Sequence, residues 1–351
     1  MLTDIFAERY AERGIWKQYT EIESRLLMQC YRIVAEQIMP PWWVNGKESK
    51  TAKAKWTSVS NRLTMELGID ELGPRYYSYP MPLAGTTQTM TGTYSLDDVC
   101  KTWMTLRPQP LIDHDRFIKE RMSFVELSFR LQEEELASMR AELAAKIAAA
   151  EIEDAAPLRP FQIPGSRADW IRESQQRLDD SFVASVAELN ERLRRAGAPL
   201  NYHNGFIQIA GDALVEAQIE KPFWSTVAAP PWKNVDIDMK EALDRRDSSG
   251  RDPAFYGARA LESVVKIISD QKGWTHGGEK GASGYIDNLG SSKNGFIESW
   301  EREALKAFFK EVRNPLGHGP GGQEMPELTP QQTDWAIETC MSWTKTLIAR
   351  M

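Results

Sequence analysis

A chain of 351 residues with 42% hydrophobic content is long enough to bury the cores of two domains or three. Its formal net charge of −7 and pI of about 5.4 exclude a general nucleic-acid coat or a membrane-surface binder, both of which rely on broad basic surface. The balance still leaves room for a small local patch that engages an anion. Cys30, Cys100 and Cys340 are few, odd in number and far apart, which argues against a disulfide framework or a zinc site. The opening MLTDIFAERYAERG carries acids early and lacks a basic region followed by an apolar core, so no signal peptide is expected. No apolar run approaches the ~20 residues that cross a bilayer. The expectation is a reduced, cytoplasmic protein with no membrane partner.

In chain order, Ile22, Leu26, Cys30, Ile33, Val34 and Ile38 form a helical stripe that stops at Pro40-Pro41. The next predicted helix runs from about Lys47 to Leu67, with Trp56, Val59, Leu63 and Leu67 inward and Gly68 as its C-cap. Lys47, Lys50, Lys53, Lys55 and Arg62 crowd its other side, a pattern of a solvated face or of contact with a nucleic-acid backbone. Between Ile69 and Ser95 the composition turns to Pro, Tyr, Gly and Thr, which reads as an irregular loop or a small hairpin. Ser95 is placed to cap a short helix through Met104. A long helical pattern follows from about Asp113 to Ala150, which at 1.5 Å per residue would extend about 57 Å.

The stretch from Ala155 to Pro160, with Pro164-Gly165 beyond it, is a linker by composition. Ser166 starts an amphipathic helix with Trp170, Leu178, Phe182, Val186, Leu189 and Leu193 inward and Gly197 at its end. Asn204-Gly205 between extended-type residues signals a hairpin, in which His203 is structural. Pro230-Pro231 and the polar run from Asp244 to Gly250 then lead into the last region. There Asp252-Pro253 is a cap and first-turn pair for a helix to about Lys272, closed by Gly273. GWTHGGEKGASG, which contains His276, lacks the order of a phosphate-binding loop, and no strand precedes it. A short helix passes Ile286 and Leu289. The next carries Ile297, Trp300, Leu305, Phe308, Phe309 and Val312 on one apolar face. Pro315 disfavours helix at Asn314, so Arg313 is expected in the last turn and His318 in the glycine-rich loop beyond. Thr329-Pro330-Gln331-Gln332 is a capping box that launches a final helix.

Arg313 and His318 are the only tight cluster of reactive groups. A guanidinium fork recognises phosphate oxygens in pairs and an imidazole moves protons near neutral pH. Each also has a bland role, the Arg as dipole compensation at a helix end and the His as a solvated loop residue. RNPLGHG resembles the Arg-Asn-x-x-x-His signature of HEPN-domain ribonucleases. The run from Arg313 to Arg350, with DPAFYGARALESVVKIISDQKGW upstream, resembles the C-terminal domain of AbiJ-like abortive-infection proteins. TDIFAERY, VNGKESKTAKAKWTSVSNRLTMELGI and DRFIKERMSFVELSFR resemble the N-terminal domain of one AbiJ-like group, for which no catalytic motif is implied.

The expected architecture is mainly α. Residues 1–156 form a helical AbiJ-type domain with a small loop or hairpin insertion, 157–240 a connecting region of helix and hairpin, and 241–351 a four-helix, HEPN-like bundle. The resemblance implies an endoribonuclease of phage defence in which the RNA 2′-hydroxyl attacks the adjacent phosphorus. His318 would act as general acid or base, Arg313 would stabilise the transition state, and Asn314 would orient the imidazole or hold a phosphate oxygen. Glu262 and Lys266, one helical turn apart, match a Glu-x3-Lys element of some HEPN nucleases and would support Arg313 or His318; their bland reading is an i,i+4 ion pair. No metal or other cofactor is expected. The expected partners are an RNA substrate, a second copy through the C-terminal domain, and a phage-derived trigger or an antitoxin. The alternative is a catalytically silent HEPN-fold module that dimerises or binds a partner protein. A nucleotide-binding switch has no supporting loop.

Overall fold

The computed structural model describes residues 5–41, 43–44, 47–83, 86–155, 166–211, 213–248, 250–317 and 327–351. Among these the chain is mainly helical, as expected, and it divides into two compact units, 4–207 and 208–351.

The N-terminal unit begins with a single turn, α1 (Phe6–Arg9). In α2 (Glu21–Ile33), Thr20 and Glu23 form a reciprocal capping box, and the helix continues as a π-turn, Val34–Ile38, before Pro40-Pro41. β1 (Trp43–Val44) pairs with β2 (Lys47–Glu48). This pairing takes the first residues predicted for the next helix, so α3 (Lys50–Leu67) starts at the Ser49 cap and ends at left-handed Gly68. The Pro- and Thr-rich segment is a regular antiparallel hairpin, β3 (Tyr76–Leu83) and β4 (Thr86–Thr93). Ser95 caps α4 (Leu96–Thr105), and Asp113 caps α5 (His114–Asp154) by accepting from the Asp115 and Arg116 N–H groups. Of the linker expected from Ala155 to Pro160 and at Pro164-Gly165, all but Ala155 lies outside the described residues. Next come α6 (Arg167–Arg195), ended by Gly197 at φ +68°, and the pair β5 (Leu200–His203) and β6 (Phe206–Ile209). The turn between those strands is Asn204-Gly205, both at positive φ, as a tight hairpin requires.

The first half of α5 is the axis of this unit. From Phe117 to Phe129 every residue but Glu120 is buried, with α1, α2, α3 and α6 packed around it. Phe124 stacks on Trp56 at 6.1 Å between ring centroids, and the Trp56 indole N–H donates to the Met39 carbonyl at 3.0 Å. Each such buried side chain contributes about 1.5–3 kcal/mol. Most of the polar groups carried into this core find their partners within the protein. Lys119 donates to the Tyr10 and Arg13 carbonyls at 2.7 and 2.6 Å, and Ser123 accepts from the Ala7 N–H at 2.9 Å. Arg121 lies over the rings of Phe117 and Trp103, and burial lowers its guanidinium to about 10. Glu126, fully enclosed, accepts from Arg9 at 2.6 and 3.0 Å, from Arg130 at 2.7 Å and from the Ile207 N–H at 2.7 Å.

The C-terminal unit contains α7 (Ala213–Val215), a π-turn at Glu216–Glu220, α8 (Lys221–Val227), α9 (Lys233–Asp247) and α10 (Pro253–Gln271). It continues through α11 (Gly281–Leu289), α12 (Ser299–Phe308), a π-turn at Phe309–Arg313, α13 (Asn314–Gly317) and α14 (Pro330–Ile348). α10 is central, with α9, α11 and α14 packed on it. Leu261, Val264, Val265 and Ile268 meet Ile337, Cys340 and Met341 of α14 in one core that also takes Met239 and Leu243 of α9.

Several expectations change. The contact division at 207/208 falls inside the connecting region expected at 157–240, with α6 packed along α5 and α9 along α10. The polar run at Asp244–Asp247 is the last turn of α9; Asp244 and Asp247 are buried, and Gln208 donates to the Asp244 carboxylate at 2.8 Å. Asp252 adopts φ +54° and caps nothing with its side chain. Ile22, Trp170 and Trp300 are exposed despite their apolar stripes, since each lies in the first turn of its helix, beyond the reach of the core. Lys55 is not part of an open basic face: it donates to Gln132 at 3.0 Å and pairs with Glu135 of α5.

Candidate active site

Pro315 does not end the helix that carries Arg313. A proline inside an α-helix loses one ladder bond and presses its ring on the carbonyl four residues back. Here the ladder widens first: the Asn314 N–H donates to the Phe309 carbonyl five residues behind, and the chain passes through Pro315 to Gly317. Each residue advances an α-helix by about 100°, so the extra residue in that turn re-aims the side chains beyond it. Buried Phe308, Phe309 and Leu316 anchor the segment to the core on either side of Arg313.

So aimed, Arg313 meets α10. Its Nη2 donates to Glu262 Oε2 at 3.2 Å, and Lys266 Nζ lies 2.8 Å from Oε1 of the same carboxylate. One buried acid thus holds two cations, one 51 residues away in the sequence and one a single turn along α10. Both cations remain partly open, with 25% of the Arg313 side chain and 42% of Lys266 accessible. The Arg313 guanidinium sits 5.5 Å from the Phe255 ring centroid, and its Nε is buried with no hydrogen-bond partner among the described residues. Gly317 closes the other side. A Cβ there would stand 3.1 Å from the Phe255 ring and 3.3 Å from Arg313 Nη1, so glycine is what allows the approach. Asn314 is exposed, and His318 lies outside the described residues.

The structure therefore brings Arg313, Glu262 and Lys266 together, and leaves Asn314 at the surface beside them. Two contributors went unnoticed in the sequence. Phe255 precedes Glu262 by seven residues, two helical turns, and so shares its face of α10; that spacing is a usable signal. Gly317 has no signal of its own beyond its place in the motif.

His276 belongs to a different arrangement. Its Nδ1 is 2.5 Å from Glu279, whose carboxylate also accepts from the backbone N–H groups of His276 and Gly277 at 2.9 Å and from Asn288 at 2.8 Å. These bonds hold the Glu279 carboxyl down at about 2. The backbone donors of this loop, where a phosphate-binding loop would take its anion, are occupied by the protein's own acid. Among the described residues no group of three or more His, Cys, Asp or Glu side chains is placed to hold a metal ion. Nor is any helix among them long and apolar enough to cross a membrane.

The family model described as AbiJ N-terminal domain 4 matches residues 4–225. That stretch contains α1 to α6, the three hairpins and the chain through most of α8, and it stops short of α10 and Arg313. No curated protein and no solved structure matches the chain. The matched span is well over half of the sequence and includes the α5-centred core built from DRFIKERMSFVELSFR, and on that ground the chain belongs to the AbiJ N-terminal domain 4 family, with the association with abortive infection that the family carries.

Proposed function

We propose that this protein is an endoribonuclease of phage defence whose Arg313, Glu262 and Lys266 meet at the α10–α13 junction, with His318 as its proton-transfer group. In the proposed step the RNA 2′-oxygen forms a bond to the adjacent phosphorus as the bond to the 5′-oxygen breaks. His318 takes the 2′ proton or delivers one to the departing 5′-oxygen. Arg313 meets the charge that builds on the non-bridging oxygens, where a positioned cation is worth more than one in bulk water. Glu262 fixes the guanidinium, Lys266 adds positive charge, and Asn314, exposed at the surface, would hold a phosphate oxygen or orient the imidazole. The step needs no metal, leaves a 2′,3′-cyclic phosphate and a 5′-hydroxyl, and does not run on DNA.

The observation that carries this reading is the capture of Arg313 by the buried Glu262 from another helix, which holds a phosphate-recognising fork partly open at the surface. The Arg313-to-His318 spacing supports it. A second copy paired through the C-terminal unit would set two such forks along one cleft, and the N-terminal unit would gate the enzyme in response to a phage-derived trigger or an antitoxin.

Purified protein is expected to cut single-stranded RNA in the presence of a chelator, and His318→Ala and Arg313→Ala to lose at least about 100-fold in rate, the scale of removing one transition-state donor. Toxicity on expression should vanish with His318→Ala. Cleavage that survives both substitutions assigns the activity elsewhere. Intact RNA with well-folded protein favours the second reading, a silent module that dimerises or binds a partner protein.

A further inference from the structure

Among the described residues, the β3–β4 hairpin is a long regular element whose packing is unexplained by the core around it. It has no extensive contact with any other element, and its described side chains are exposed on both faces or half-buried. A two-stranded hairpin standing free in water is marginal at best. Its composition is equally unusual: residues 76–93 contain no Asp, Glu, Lys or Arg, in a chain that is 26% charged.

The two edges of this hairpin are not equivalent. The Tyr94 N–H donates to the Arg75 carbonyl at 2.8 Å at the open end, which fixes the alternation of the ladder. Tyr77↔Gly92, Tyr79↔Met90 and Met81↔Gln88 are then the pairs that exchange backbone bonds. Tyr76↔Thr93, Ser78↔Thr91, Pro80↔Thr89 and Pro82↔Thr87 turn their backbone groups outward. On the β3 edge Pro80 and Pro82 have no N–H to offer, and proline is a standard means of blunting an edge. On the β4 edge, Thr87, Thr89, Thr91 and Thr93 all present an N–H and a C=O, and none of these groups bonds elsewhere among the described residues. Neither proline, nor charge, nor a covering helix protects them.

We propose that β4 pairs antiparallel with β4 of a second copy of this chain. The occupant follows from the edge itself. With the two-fold axis at Met90, Thr87 of one copy faces Thr93 of the other and Thr89 faces Thr91, so every outward-bonding position meets a threonine. Thr–Thr cross-strand pairs are favourable, and an uncharged edge brings no like charges together across the axis. A second copy is also the one partner present whenever the edge is. The stack of Tyr77 on Tyr79 and against Tyr94 lies on the face of the hairpin away from the threonines, at centroid distances of 6.0 and 4.8 Å. It keeps β3 in register: the Tyr77 hydroxyl fills the space a side chain on Gly92 would need, 2.3 Å from where its Cβ would stand. The result is a four-stranded sheet with a β-branched ladder along its centre. This pairing is independent of the nuclease reading and of any pairing of the C-terminal units.

Met90→Cys in the full chain tests the register directly. On the axis, its Cα would lie about 4.5 Å from its counterpart, within disulfide range. Cys30, Cys100 and Cys340 are buried and do not compete. Mild oxidation is expected to give a covalent dimer with Met90→Cys and none with Gln88→Cys, which faces Gly92. Sedimentation of Thr89→Lys/Thr91→Lys should show self-association through this edge at least tenfold weaker, with the Met90→Cys cross-link lost in that background. Thr89→Lys/Thr91→Glu should restore both, because position 89 of one copy meets 91 of the other. A Met90→Cys chain that stays monomeric on oxidation overturns the proposal. So does a cross-link as strong at position 88, or one that persists with lysine at both positions.

Discussion

Two buried carboxylates, Glu126 in the N-terminal unit and Glu262 in the C-terminal unit, each hold two cations, yet they are built for different work. Glu126 is saturated. Arg9 grips both its oxygens, Arg130 and the Ile207 N–H take what remains, and the two arginines are further occupied by the Ile207 and Gly205 carbonyls at 3.0 and 2.8 Å. Among the described residues, both oxygens of Glu126 are taken. Glu262 makes one 3.2 Å bond to Arg313 and one 2.8 Å contact with Lys266, and both cations keep access to solvent. A network closed on all sides fixes a fold, whereas one left partly open holds charge ready for something that arrives later. Burial of an acid alone does not distinguish the two; the exposure of its partners does.

Removing the closed acid should have the larger effect on folding. Glu126→Ala strands two buried guanidinium groups, and breaking a buried pair from one side costs about 3–5 kcal/mol. Chemical denaturation is expected to show a loss of that size; a change below about 1 kcal/mol would mean the network contributes little beyond filling space. Glu220 supplies the intermediate case, an acid buried with no cation within ion-pair distance among the described residues. Burial raises its carboxyl to about 7; Arg246 opposes the shift, and Glu216, Asp247 and Glu338 add to it. The folded state therefore holds this proton more tightly than the unfolded chain. Its stabilising share is full below about pH 4.5 and is lost as pH rises through about 7. Glu220→Gln should be neutral at pH 4 and raise stability at pH 8 by about 2–3 kcal/mol, read as a shift in denaturation midpoint at the two pH values. The open acid should matter least to folding. Glu262→Gln is expected to change stability by about 1 kcal/mol or less, since the amide still accepts from Arg313; if the proposed ribonuclease activity holds, its rate should fall about tenfold with unchanged substrate affinity. A fold loss comparable to that of Glu126→Ala would place Glu262 among the structural acids.

Much of the helical framework was legible because its signals are local. Ser95 and Thr329 cap the helices they were expected to cap, Asp113 and Ser166 cap the helices whose starts were read at those positions, and Gly68, Gly197 and Gly273 turn at positive φ where helices end. Glu262 and Lys266 were readable for the same reason, one turn apart on one helix. What escaped depends on distance or on competition. Arg9, Glu126 and Ile207 are spread over 198 residues, and no short window contains their bonds. Asp244 to Asp247 reads as a polar linker, yet α9 packs on α10 and buries two of its acids. At Pro315 local preference was outweighed by the anchors Phe309 and Leu316, and a π-turn absorbed the conflict. The alternating prolines of β3 were visible from the start, but they take on meaning only once the register shows which way their nitrogens face.

The length of α5 has its own consequence. Its first half is enclosed, while its second half is propped against α6 chiefly by charged pairs at the surface: Arg140 with Asp179, Arg172 with Glu151, Arg167 with Glu153. One continuous rod thus passes from a region insensitive to ionic strength into one that added salt loosens. Its amides should trade hydrogen for deuterium along a gradient, slow near Phe124 and fast toward Asp154, and the far end can fray and re-form without disturbing the centre.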